Sequence, residues 1–169
     1  EIVTMLARLL KIGLEEEKYT LEFIPSFPEL NKDYWAFTQI ELASRLGILP
    51  GYFKPEFHPS RLASRADTAW MINKLLNLEI LRGKILDNPE GSNLLTIEPE
   101  EGDSRIVLVQ PETIILRNNI TTAIENLAQN DKVTIFYNQN NEPAIIKSFG
   151  EVNKNDLLSR LSAMVKGRL

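Results

Sequence analysis

The 169-residue chain reads as an α+β protein: an N-terminal helical unit, a small antiparallel β-barrel or meander, and a C-terminal helix. Three observations lead there. Up to about residue 84, apolar residues recur at helical spacing between loops that carry Gly and Pro. Beyond that point come short apolar-rich runs divided by turn clusters. The last stretch returns to helical spacing, with Leu157, Leu158, Leu161 and Val165 on it. The expected units are therefore residues 1–84, 85–150 and 151–169.

In the first unit, Ile2, Leu6, Leu9 and Leu10 share one face of a helix over 1–12, and Gly13 is placed to cap it. Residues 14–31 form a connector with Pro25, Pro28 and a solvated Glu15-Glu16-Glu17 run. A second helix is expected over about 32–46. Its inward face carries Trp35, Ile40, Leu42 or Ala43, and Leu46, and Gly47 ends it. Residues 48–63 form a loop under which Phe53 and Phe57 tuck into the core. The third helix starts at Ser64. Ser64 as N-cap and Asp67 three residues on make a capping box, in which each side chain bonds the other's backbone amide. Ala69 or Trp70, Ile72, Leu75 and Leu76 supply its apolar face.

In the second unit, Asn88-Pro89-Glu90-Gly91-Ser92-Asn93 is a turn cluster. Strands are expected over 94–97, 105–110, 113–116, 132–137 and 144–149, with one short helix over 121–129. Asn138-Gln139-Asn140-Asn141 is a hairpin signal that lacks glycine. The V-x-P-x-T-x-I run from Val109, followed by L-x-x-x-D-x-V-T-I from Leu127, resembles small β-barrel modules of some envelope proteins.

Composition narrows the function classes. Hydrophobic residues make up 43% and charged residues 25% of the chain, ordinary values for a globular protein. No apolar run approaches the roughly 20 residues that span a bilayer. The absence of cysteine removes disulfides, thiolate catalysis and Cys-based zinc sites. A net charge of −4 argues against a dedicated nucleic-acid binder. An OB-like barrel would have only Arg105, Arg117, Lys132 and Lys147 as basic residues, beside Phe136, Tyr137 and Phe149. His58 is the single histidine, and Glu100, Glu101 and Asp103 lack calcium-loop spacing. No P-loop, dinucleotide glycine pattern, G-x-S-x-G or H-E-x-x-H is present. No enzyme, cofactor or metal is expected.

The most specific pattern runs from Phe27 to Leu76. It comprises Phe27, Tyr34-Trp35-Ala36, Ile40, Ala43, Gly47-Ile48, Gly51, Phe57-x-Pro59 and Ser64-Arg65-Ala66-Asp67. In that order it resembles an S-layer homology (SLH) motif, whose form is F-x-D, W-A, I, G-I, F-x-P and T-R-A-E. The decapeptide from Glu1 matches the one from Asp67 in its opening acid, a fifth-place Met, an eighth-place base and a closing Leu-Leu. It reads as the tail of a preceding motif, so residue 1 is not expected to be the natural start. Ser64 and Asp67 replace the usual Thr and Glu and keep the capping chemistry. Pro28-Glu29 stands where an Asp is usual, and the connector is longer.

The resemblance implies a non-catalytic module of the cell envelope that holds its protein to an acidic secondary cell-wall polysaccharide or peptidoglycan-linked glycan. It places the anion-binding role on Arg65, at the first turn of the capped helix with Ser64 and Asp67. A guanidinium there adds a bidentate donor to free amides and a favourable dipole. Trp35 lines a sugar groove or is core, and Trp70 packs or contacts a partner. A complete unit commonly assembles three motifs with grooves between neighbours, and one whole motif is present here. The rival expectation is an assembly module, bound to other envelope proteins, that has lost glycan binding.

Overall fold

The computed structural model describes residues 1–10, 24–54 and 56–151. It is an α+β arrangement of three helices and a seven-stranded sheet. The helices are α1 (Ile2–Leu9), α2 (Phe37–Arg45) and α3 (Arg65–Leu76). The strands are β1 (Ile80–Asp87), β2 (Leu94–Pro99), β3 (Arg105–Leu108), β4 (Ile114–Arg117), β5 (Ile120–Thr121), β6 (Lys132–Tyr137) and β7 (Pro143–Phe149). The expected boundary after residue 84 falls inside β1. The expected cap at Gly13 and the expected C-terminal helix carrying Leu157, Leu158, Leu161 and Val165 lie outside the described residues.

Local chemistry sets the element ends. α2 stops at a Schellman turn: the Gly47 amide donates to the Ser44 carbonyl at 3.0 Å and the Ile48 amide to Ala43 at 2.9 Å. Gly47 holds φ +67°, a conformation that costs glycine nothing. The β6–β7 hairpin manages without glycine because Asn141 takes the left-handed conformation at φ 61°. Asn138 Oδ1 accepts from the amides of Asn140 and Glu142, closing the turn. Asn118 and Asn119, both at positive φ, form the two-residue turn from β4 to β5.

The sheet corrects the barrel and meander expectation. Its order is β3-β2-β1-β6-β7-β4-β5, open at both ends. β4 runs parallel to β7, and every other pair is antiparallel. All four residues of β4 are buried, as are Ala144, Ile145 and Ile146 of β7. Strands covered on both faces suit a layered parallel pair, with no need of barrel closure. The helix expected over 121–129 is only a 3-10 turn at Ile124–Asn126.

Two cores flank the sheet. On one face Ile114, Leu116, Phe136 and Ile145 form one core with Ile40 of α2, Met71 of α3, and Leu46 and Phe57 from the segment between those helices. On the other, Ile85, Leu95, Ile97, Ile115, Ile135 and Ile146 pack among themselves, with Ile124 and Leu127 over them. A polar hub fastens the helical layer to the sheet. Buried Glu41 accepts from the Ser26 amide and hydroxyl at 2.9 and 3.0 Å and from Arg45 Nε at 2.6 Å. Arg45 also donates to the Ile24 carbonyl and to the Glu112 carbonyl just ahead of β4.

A second polar cluster closes the far end of the sheet. Arg117 Nε donates to Asp131 Oδ2 at 2.6 Å, and the Ser148 hydroxyl donates to the same oxygen at 2.8 Å. The Ala128 amide adds a third bond at 3.2 Å. Arg117 is thus buried in an ion pair and is not the surface cation that a nucleic-acid-binding barrel needs.

Two expected faces differ. Trp35 precedes α2 and is 59% exposed, because the helix starts only at Phe37 and the turn before it points the indole outward. On α3 only Asp67 and Met71 are buried; Trp70, Ile72 and Leu76 are exposed. The matching decapeptides both form helix, yet they bury different positions. Met5 is 66% exposed and its counterpart Met71 is fully buried.

Candidate functional site

The start of α3 is fixed by the expected capping box. Ser64 is extended, and its Oγ accepts from the Asp67 amide at 3.1 Å. Asp67 Oδ2 accepts from the Ser64 amide at 2.8 Å, and the Thr68 hydroxyl donates to the Ser64 carbonyl at 3.0 Å. Asp67 is buried by this work, while Arg65 stays exposed, with no ion pair among the described residues. The box therefore spends its carboxylate on the backbone and leaves the neighbouring guanidinium available. Replacing Ser64 by alanine is expected to cost about 1 kcal/mol of stability, visible as a lower urea midpoint at unchanged slope.

Ahead of the cap lies a cleft of about 440 Å³. Its floor is Ile40, Phe53, Phe57 and Met71, all buried. Phe57 packs on Phe27 and Phe53, with ring centroids 5.3 and 5.6 Å away. The Phe57 amide donates to Glu29 Oε1 at 2.8 Å, which ties the loop to the connector. The rim carries Tyr34, Trp35, His58 and Arg61. The Tyr34 and Trp35 rings lie 5.7 Å apart at 48°. The Arg61 guanidinium sits 4.9 Å from the Tyr52 ring centroid and 5.2 Å from that of Phe53, held in place by the aromatic faces. His58 stands 3.7 Å from Glu56.

The structure thus brings Ser64, Arg65 and Asp67 together, with Ala63 carrying the cleft wall up to Ser64. Trp35 stands on the rim. Trp70 lies apart from that cleft, on the outer face of α3, with the Lys74 ammonium 4.9 Å from its ring centroid. Tyr34 and Arg61 belong to the rim and were not anticipated. Their signals are small: a second aromatic beside Trp35, and a second arginine four residues before Arg65. Rings with open faces, a held guanidinium and a capped helix start can bind and orient an anionic, partly apolar ligand. Among the described residues no group of His, Asp and Glu is placed to hold a metal ion. Nor is any described helix long and apolar enough to cross a membrane.

Set against known proteins, the chain matches no family model, no curated protein and no solved structure.

Proposed function

We propose that the chain is a non-catalytic anchoring module of the bacterial cell envelope, binding an acidic, wall-linked polysaccharide through Arg65 and the adjoining cleft. One observation carries this reading. Of the residues that resemble an SLH motif, Trp35 and Phe57 line the cleft, Phe27 packs on Phe57, and exposed Arg65 stands two residues beyond the cleft-lining Ala63, at the capped start of α3. Arg65 takes a carboxylate of the glycan as a charge-assisted pair. Trp35 and Tyr34 offer ring faces to the C–H faces of the sugars, and Arg61 supplies a second cation.

The test is co-sedimentation with purified wall sacculi, intact or stripped of acidic secondary polymer. Arg65→Ala is expected to weaken sedimentation about tenfold or more. Its stability should change by no more than about 0.5 kcal/mol, because the side chain is exposed. Equal sedimentation of the two proteins, or binding indifferent to stripping, refutes the reading.

The alternative, an envelope assembly module without glycan binding, is favoured by the exposed Trp70, Ile72 and Leu76 of α3. Under it, Arg65→Ala leaves partner binding intact and sacculi are not bound by either protein.

A further inference from the structure

The face of the sheet that the helices cover at one end is open at the other. Cross-strand register sorts its side chains into rows. Ile80 of β1 pairs with Phe136 of β6, and Phe136 with Ile145 of β7, under the helices. The next row on that face is Arg82, Thr134 and Lys147, and the one beyond is Lys84, Lys132 and Phe149. On the other side of β1, Glu98 of β2 pairs with Lys84. Arg82, Lys84, Lys132 and Glu98 are exposed, above a depression of about 630 Å³.

One feature of this surface is not accounted for by folding. Lys84 and Lys132 stand directly opposite one another, an arrangement that repels and weakens a sheet. Neither is closed by an ion pair among the described residues, although Glu98 lies directly across from Lys84. Gly83 sits between Arg82 and Lys84, where a Cβ would lie 2.1 Å from the Glu98 carbonyl oxygen. The missing side chain lets β2 close on β1 at the floor of the depression.

We propose that this concave face is a second binding site, which takes an acidic carbohydrate chain. Lys84, Lys132 and Arg82 hold its carboxylates. Glu98 and Glu100, on the far rim, accept hydrogen bonds from sugar hydroxyls. The Phe149 ring, 42% exposed, lies against a sugar C–H face. Lys147 stands behind that ring with its ammonium 4.9 Å from the centroid, and burial holds its pKa below the ordinary 10.5. The two glutamates decide the class of ligand. They suit a polymer that alternates charge with hydroxyls and repel the unbroken phosphates of a nucleic acid. A single ring is also a poor platform for stacked bases. This site shares no residue with the Arg65 site and stands or falls separately; with both present on one chain, a long glycan would be held by avidity.

The test is affinity electrophoresis of the full chain through gels containing polygalacturonate or neutral dextran, with an oligothymidylate as competitor. Polygalacturonate is expected to retard the protein in a salt-sensitive way, and dextran to leave it unaffected. Lys84→Ala with Lys132→Ala should weaken the retardation about tenfold or more, and Lys84→Arg with Lys132→Arg should keep it. Arg65→Ala should leave the lysine-dependent part in place, which separates this site from the first. Melting temperatures no lower than the parent's establish that the variants are folded; the double alanine variant, relieved of the opposed charges, should not fall below it. The proposal is overturned if the double alanine variant is retarded like the parent, if the parent is not retarded, or if oligothymidylate binds more tightly than polygalacturonate.

Discussion

Asp131→Ala is expected to lower the free energy of unfolding by about 3–5 kcal/mol. The Asp131 and Arg117 side chains are 3% and 4% exposed, so the change strips a buried guanidinium of its counter-charge. It also deprives the Ser148 hydroxyl and the Ala128 amide of their acceptor. Urea denaturation at neutral pH measures the loss. The paired change Arg117→Met with Asp131→Leu removes both charges and should recover most of it, because the cost lies in the orphaned charge rather than in the missing bond. Acid adds a second readout. Burial alone would push the Asp131 carboxyl up. The hydrogen bonds from Arg117, Ser148 and the Ala128 amide, with the Arg117 charge, outweigh that and hold it below its ordinary 3.8. As pH falls the unfolded chain therefore takes up the proton first. The stabilisation is complete above about 3.8 and drains away as pH falls through the lower folded value. In the alanine variant that part of the stability–pH curve should be flat.

Phe57→Ala is expected to cost about 3–5 kcal/mol, as a large side chain leaves a core that can only partly collapse. Phe57 is 8% exposed and lies in one cluster with Phe27, Phe53, Ile145 and Phe136. Since that cluster joins helices and sheet, the damage should reach both. Unfolding followed by the helical circular dichroism signal and by a sheet-sensitive infrared band should give one midpoint, shifted together. An early loss of helix with the sheet left standing would instead mark the helical layer, up to Leu76, as a separately unfolding unit. Phe57 and Asp131 share no partner, so the double variant should show additive losses within about 0.5 kcal/mol.

Much of this architecture is legible in the chain because its causes are local. Ser64 and Asp67 declare a helix start within four residues, Gly47 declares a helix end, and Asn138–Asn141 declares a reversal even without glycine. Five of the strands are visible as apolar runs between such signals. What escaped depends on partners distant in sequence. β1 reads Ile80-Leu81-Arg82-Gly83-Lys84-Ile85-Leu86-Asp87, with apolar pairs spaced as a helix would space them. Only its pairing with β2 and β6 makes it a strand. Nothing in Ile114-Ile115-Leu116 says that its neighbour will be β7 or that they will run parallel. Extending the α2 period two residues beyond its start at Phe37 puts Trp35 on the inward face, and the turn ahead of the helix takes it off that face. The rim residues Tyr34 and Arg61 are ordinary in sequence and become notable only where the loop after Phe53 folds back over the aromatic floor.

The place of β7 in the sheet has a mechanical consequence. It is held on one side by β6 and on the other by β4, in opposite senses. Just past its end, the Glu151 carbonyl accepts from Arg117, which is itself locked to Asp131. Tension entering the chain at Glu151 would thus meet the ionic clasp first and then two hydrogen-bonded ladders loaded together. A strand held this way resists being drawn out from that end far better than a strand on the rim of a sheet, which can be peeled away one bond at a time.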